Sequence, residues 1–332
     1  MTHSQPGNLR FDKFMSHALY GPHGFYANHG RAGRRGDFLT SPEVGPLFGH
    51  VISRYLDGVW ESLGHPETFD LLEVGAGPGT LARSILTSDA RCLSSLSYVA
   101  VEVSAEQRKL HPSGIKSVAT TPSDPVNGVV FANELLDNIP FRLFVFDGIW
   151  TESYVSETHD GFVEELRPVQ DLPSVLPSTA PHGSRVPYQE EARNWVMNAL
   201  QLLESGRLLT IDYGRQSTVE TLKVDWRSWL RTYSLHGPGK HYLREVGKQD
   251  ITCDVMFDQV FADADVTYRS QAEFLVECGI ETLVTEGRTY WESYASRPDV
   301  TAIAMRSRVS EAEALLDPAG LGGFTVAEVV VS

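Results

Sequence analysis

Between residues 69 and 213 the chain alternates short apolar runs with helical patterns. The runs 69–74, 96–102, 129–133 and 207–213 are bounded by turn residues and too short for helices, so they predict strands. Helical patterns follow the first two runs, over 80–88 and from Ala105, and a third over 190–203 leads into the last. Short apolar strands fed by helices predict a parallel sheet covered on both faces, a doubly wound α/β fold of Rossmann type. A hairpin is predicted over 143–156, with Asp147-Gly148 at its turn. The Pro- and Ser-rich stretch 172–187 predicts a loop. Farther on, 271–278 predicts a helix capped by Gly279, and 300–305 and 324–331 predict strands that finish the sheet antiparallel.

Ahead of the sheet, Phe11, Phe14, Met15, Ala18 and Leu19 fall at helical spacing, and Gly21-Pro22 stops that helix. Val44, Leu47, Phe48, Val51, Ile52, Tyr55, Leu56, Val59 and Trp60 form one stripe of a helix over 43–63. Thr40 or Ser41 is its predicted N-cap, with Pro42 in the first turn. A basic, Gly-rich loop over 30–36, with Arg31, Arg34 and Arg35, separates the two. This order divides the chain into a helical cap over 1–65, contributing to a cleft, and a core over 66–332. Insertions into the core are expected at about 157–204 and 215–265.

Charge narrows the partners. With 43 acidic and 28 basic residues the formal charge is −15, a field that repels nucleic acid and anionic membranes. Cys92, Cys253 and Cys278 are scattered without metal-type spacing, which fits a reducing compartment. The first dozen residues lack signal and transit patterns, and no apolar run approaches the roughly 20 residues of a membrane span. A cytoplasmic protein is expected. His23 and His29, like His236 and His241, lack the register and supporting carboxylate of a zinc site, so no metal is expected.

The most informative segment is Leu71-Leu72-Glu73-Val74-Gly75-Ala76-Gly77-Pro78-Gly79-Thr80. An apolar strand ends in a carboxylate, a Gly-rich turn follows, and a helix begins; at a sheet's carboxyl edge such a turn lines the ligand crevice. A dinucleotide fingerprint would place Gly or Ala where Thr80 stands, and Glu73 would repel a pyrophosphate while suiting an ammonium group. The spacing E-x-G-x-G-x-G is instead similar to the first motif of class I S-adenosylmethionine-dependent methyltransferases. That resemblance implies that Glu73 supports the methionine end, with Gly75, Ala76, Gly77 and Gly79 against the nucleoside. Glu102 ends the second strand where a carboxylate accepts both ribose hydroxyls, with Val103 beside it; NAD enzymes share this feature. Asn133, Glu134 and Asp137 follow the third strand, where class I methyltransferases bring the acceptor to the methyl group. The plainer reading of Asp137 or Asn138 is a helix cap.

Read together, these motifs resemble the MidA-like family. The resemblance runs from Phe14-Met15, Ala18-Leu19-Tyr20 and Gly24-Phe25-Tyr26 through Gly36-Asp37-Phe38-Leu39-Thr40-Ser41-Pro42-Glu43-Val44. It continues in Asn133-Glu134-Leu135-Leu136-Asp137-Asn138-Ile139-Pro140, Ile211-Asp212-Tyr213-Gly214, Gln249-Asp250-Ile251-Thr252 and Gln271-Ala272-Glu273-Phe274-Leu275. It implies S-adenosyl-L-methionine as cofactor, with Asp37, Thr40 and Pro42 folded over its cleft. It also implies a protein acceptor methylated at arginine, since the mitochondrial member is a protein arginine methyltransferase needed for respiratory complex I assembly. A respiratory NADH dehydrogenase subunit is therefore the partner to expect. Glu134 is the first choice, and Asp137 the second, to orient a guanidinium and carry its proton away. Asp212-Tyr213 and Gln249-Asp250 are placed to shape the acceptor side, although Asp212 serves equally as a strand-end structural group. The chain departs from the family pattern at Pro78, at Asn138 and over Cys253-Asp254-Val255-Met256-Phe257. A small-molecule O- or N-methyltransferase and a cofactor-binding assembly factor without turnover remain alternatives. Thr80 and Glu73 oppose an NAD-dependent oxidoreductase.

Overall fold

The computed structural model describes residues 8–28, 40–234 and 237–332. Asp37, the basic loop over 30–36, His29 and His236 lie outside the described residues.

Seven strands form the central sheet: β1 (Phe69–Val74), β2 (Leu96–Val101), β3 (Lys116–Val118), β4 (Val126–Asn133), β5 (Leu203–Asp212), β6 (Val266–Ser270) and β7 (Thr325–Val331). Their order is β6-β7-β5-β4-β1-β2-β3. The five from β3 to β5 are parallel; β7 pairs antiparallel with both β5 and β6. Side chains alternate between faces, as strand geometry requires. Phe69, Leu71, Val129, Phe131, Leu209 and Ile211 pack under the helices Pro46–Ser62 and Thr80–Leu86. Leu72, Val74, Val130 and Leu208 pack on the opposite face against Ala192, Val196 and Ala199 of the helix Glu190–Leu202.

Between β4 and β5 the chain builds a second, antiparallel sheet. The predicted hairpin is Arg142–Phe146 with Trp150–Thr158, extended by Gly161–Pro168, Arg185–Tyr188 and the short strand Leu9–Arg10. The last residues of the predicted 172–187 loop thus become strand. A third cluster joins this sheet to the first helix: Phe11, Phe14, Met15 and Leu19 pack against Phe141, Leu143, Trp229, Tyr242 and Ile251. The N-terminal helix therefore sits on this second sheet, whereas the helix Pro46–Ser62 belongs to the central sandwich.

Two expectations are corrected. Residues 300–305 are not a strand but the first turns of the helix Val300–Leu316. Its N-cap Asp299 accepts the Ala302 N–H at 2.7 Å, and the antiparallel strand expected there is supplied by Val266–Ser270. The predicted helix over 43–63 is two helices, Ser41–Val44 and Pro46–Ser62, broken at Gly45. Thr40 precedes only the short one and makes no side-chain cap bond; the long helix draws on Glu311, whose carboxylate accepts the Leu47 N–H at 2.9 Å. The Gly45-Pro46 pair explains the break, since Pro starts a helix readily and cannot continue one. Among the described residues no helix is long and apolar enough to cross a membrane.

Candidate functional site

The carboxyl ends of β1, β2, β4 and β5 converge on one edge of the sheet, beside the point where chain connections diverge to either side. The turn after β1 is tied to β2, because the N–H groups of Gly75 and Ala76 both donate to the Val101 carbonyl at 3.0 Å. Gly75, Gly77 and Gly79 have φ of 78°, 53° and 76°, a left-handed backbone that costs other residues roughly 1–2 kcal/mol each. The turn thus bends sharply at three positions that carry no side chain. Glu102 holds it from the next strand: one carboxylate oxygen accepts the Gly77 N–H at 3.0 Å, the other the Ser104 N–H at 2.7 Å.

A cleft enclosing about 1120 Å³, part of it open to solvent, lies over this turn. Its chemistry fits a nucleoside carrying an amino-acid tail. Each Glu102 oxygen, having accepted one backbone bond, keeps a lone pair for a ribose hydroxyl. Asn133 Oδ1 is buried with no hydrogen-bond partner among the described residues, an acceptor suited to an ammonium donor. Glu73 lines the same cleft and accepts the Tyr98 hydroxyl at 2.6 Å; burial pushes its carboxyl up to about 7. Tyr20 and Tyr26, stacked with centroids 5.5 Å apart, contribute a further wall from the N-terminal helices.

A second cavity adjoins the cleft and shares Glu134 and Asn138 with it. Glu134 follows β4 in a left-handed conformation with φ of 50°, held by its N–H to the Ile211 carbonyl at 2.8 Å. Its carboxylate accepts from Asn133 Nδ2 at 3.0 Å. Burial, then the neighbouring Asp137, push it up to about 8. Asp137 is 4% exposed; Oδ2 accepts the Tyr213 hydroxyl, whereas Oδ1 is buried without a partner among the described residues. Asp250, raised to about 8 by burial and then by Asp137, accepts from Asn138 Nδ2 at 3.1 Å and from the Tyr26 hydroxyl at 3.2 Å. The cation Arg231 lies 4.8 Å from the Tyr213 ring centroid but is already paired with Asp254 at 2.7 Å. The unpaired electrostatic character of this cavity is acidic.

Of the predicted cofactor residues, Thr40, Pro42, Glu73, Gly75, Ala76, Gly77, Glu102, Val103 and Asn133 line the cleft together with Glu134. Gly79 does not line it; it precedes the helix Thr80–Leu86 as its left-handed N-cap. Asp137 lines the second cavity instead. Neither Asp137 nor Asn138 caps a helix: the N–H groups of Leu136 and Asp137 donate to Asp212 Oδ2 at 2.9 and 3.3 Å, so the neighbouring strand holds that turn. Sequence reasoning gave no role to Tyr20, Tyr26, Gln107 or Arg231. The Tyr20 and Tyr26 motifs were visible, but nothing local tied them to a cleft formed more than 40 residues later.

A family model described as "Putative S-adenosyl-L-methionine-dependent methyltransferase" matches residues 51–273. The mitochondrial protein arginine methyltransferase NDUFAF7 of Xenopus tropicalis is 36% identical over 322 residues, 83% of this chain and 73% of that protein. Its Drosophila melanogaster homolog is 27% identical over 296 residues; that match covers 76% of this chain and 66% of the fly protein, just under two thirds. A Burkholderia thailandensis protein solved with bound S-adenosyl-homocysteine is 28% identical with a TM-score of 0.82, over 98% of this chain and 88% of that one.

Proposed function

This chain belongs to the S-adenosyl-L-methionine-dependent methyltransferase family, and from that premise we propose that it methylates a protein acceptor at an arginine guanidinium. The cofactor is S-adenosyl-L-methionine. When bound it would supply an electrophilic sulfonium methyl group; Glu102, Gly75, Ala76, Gly77, Glu73 and Asn133 would hold it.

The observation that carries the acceptor reading is the buried Oδ1 of Asp137, without a hydrogen-bond partner among the described residues, in a cavity that opens onto Glu134. A buried carboxylate oxygen without a donor is rare, and a charged donor satisfies it best. A guanidinium brings five N–H donors in a planar fork and stays protonated at neutral pH. It would lose one proton as its nitrogen bonds to the methyl carbon, while the carbon–sulfur bond breaks and sulfur leaves with that electron pair as the neutral thioether. Glu134, at the junction of the two cavities, orients the guanidinium and receives that proton. Asp137 supplies the remaining negative charge.

The names of the frog and fly relatives support a protein substrate and arginine as the methylated residue. The family resemblance puts a respiratory NADH dehydrogenase subunit first among acceptors. Three free cysteines support action in a reducing compartment, which we read as the cytoplasm. The test is mass spectrometry of arginine methylation in cells with and without the gene. Loss of methylarginine from a discrete polypeptide is expected; an unchanged protein methylome beside a changed small-molecule pool would overturn the protein reading.

A further inference from the structure

We infer that Glu43 and Thr80 are positioning residues for the cofactor: the hydrogen bond between them fastens the cleft wall over 40–43 to the helix Thr80–Leu86 and sets how fast S-adenosyl-homocysteine departs. The inference rests on the cofactor cleft alone and does not depend on what accepts the methyl group.

Two segments far apart in their roles line the same cleft. Thr40, Pro42 and Glu43 line it from the segment ahead of the long helix, and Pro78 and Thr80 from the turn and helix after β1. The Thr80 hydroxyl donates to Glu43 Oε1 at 2.5 Å and joins them. A third residue settles the direction of that bond. Arg83 Nη2 donates to the same hydroxyl at 2.9 Å, and a guanidinium can only donate, so the hydroxyl proton points to the carboxylate. Arg83 Nη1 also donates to the Pro78 carbonyl at 2.9 Å and to the Leu110 carbonyl at 3.0 Å. One chain of bonds thus runs from the loop after β2, through the 75–79 turn, to the wall that carries Glu43. It has a cation at one end and an anion at the other, the pairing that strengthens hydrogen bonds most.

The rest of the wall is anchored elsewhere. Ser41 Oγ donates to Gln271 Oε1 at 2.8 Å, and a Cβ on Gly45 would stand 2.2 Å from the Glu311 carboxyl carbon. These contacts reach the helices Gln271–Glu277 and Val300–Leu316, not the turn beneath the cofactor. Glu43 carries the tie to that side. Thr80 is free to make it, because the N-cap of its helix is Gly79 and the Thr80 hydroxyl is not spent on capping. A dinucleotide-binding turn has Gly or Ala at this position and no hydroxyl to offer. A wall held in place beforehand needs no ordering on binding and cannot swing away from a bound ligand. Loosening it therefore acts on departure more than on arrival.

The test is the rate at which tritiated S-adenosyl-homocysteine leaves the full chain when chased with excess unlabelled ligand. Thr80→Val keeps the shape and removes the hydroxyl, leaving the exposed Arg83 to water. It should speed dissociation about tenfold with the association rate changed by less than about twofold, and Thr80→Ser, which restores the hydroxyl, should bring the rate back. Glu43→Met acts from the other side of the bond and should match Thr80→Val; the double variant should lose no more than either single one. Amide exchange of a peptide covering 40–47 should quicken in Thr80→Val before any ligand is added, which loss of a direct cofactor contact would not cause. An unchanged dissociation rate in either folded variant, unchanged exchange, or additive losses in the double variant would overturn the inference. Failure of the unsubstituted chain to bind S-adenosyl-homocysteine would instead remove the cofactor site itself, and this inference with it.

Discussion

Tyr26 and Asp250, 224 residues apart in sequence, meet through a 3.2 Å hydrogen bond from the tyrosine hydroxyl to Oδ2. The same hydroxyl lies 3.0 Å from Asn138 Oδ1, and Asn138 Nδ2 donates back to Asp250 Oδ1 at 3.1 Å. An N-terminal helix, the turn after β4 and the strand Asp250–Cys253 are thereby closed into a ring at the boundary between the cleft and the second cavity. Asn138, one of the departures from the family pattern, is the member that joins the other two. Tyr26→Phe should destabilise the protein by about 1–3 kcal/mol, because it leaves buried acceptors short of a donor. Urea denaturation reads this as a lower midpoint with an unchanged slope; an unchanged midpoint would mean the ring contributes nothing.

Transfer should depend on pH through Glu134. Below about 8 its carboxyl already carries a proton and cannot take another, so kcat/KM for the acceptor should fall as pH drops from 8 towards 6. A bound guanidinium favours the ionised form, so the corresponding limb of kcat should lie at lower pH. A flat kcat/KM profile across this window would exclude Glu134 as the proton acceptor.

Stability should move in the opposite direction. The folded-state pKa of Glu134 is raised above its unfolded value, so the folded chain binds more protons between pH 4.5 and about 8. The contribution of this group to stability is fully present below the unfolded pKa and is lost as pH rises through the folded one. Glu134→Gln should therefore melt at a higher temperature than the unsubstituted protein at pH 9, and with little difference at pH 4. Thermal melts at the two pH values give the comparison; the reverse order would contradict the assignment of burial as the cause.

Glu102 is the point at which cofactor affinity can be weakened without touching the acceptor side. Glu102→Gln keeps the shape but replaces a carboxylate oxygen that accepts Gly77 or Ser104 with an amide that cannot. Calorimetry should record S-adenosyl-homocysteine binding weaker by about 10–100-fold, equivalent to about 1.4–2.8 kcal/mol. Unchanged affinity would remove Glu102 from the ribose site.

The parts of this architecture written in local pattern were legible without the structure. The strands carrying Glu73, Glu102 and Asn133-Glu134 announce themselves as apolar runs ending in polar groups, and the parallel order follows from the helices between them. The helix Val300–Leu316 was misread because its first residues are Val300, Thr301, Ile303 and Met305, a strand-like set, whereas its apolar residues do not fall on one face: Val300 is 84% and Ile303 59% exposed. Asp299 was the usable signal for a helix start. The second cavity was less legible, since Tyr26 and Arg231 reach its residues only through tertiary packing. Asp212 illustrates the middle case: its place at a strand end was readable, but not that it satisfies two backbone N–H groups of the turn carrying Asp137.

The central claim is that methyl groups pass from the cofactor cleft to a guanidinium held between Glu134 and Asp137. Acid hydrolysis and chromatography of acceptor protein labelled by the purified chain with methyl-tritiated S-adenosyl-L-methionine tests it most directly. Radioactivity should co-elute with methylated arginine and be lost with Glu134→Gln and with Asp137→Asn. Label recovered in another amino acid, or no protein label from a preparation that binds the cofactor, would contradict it.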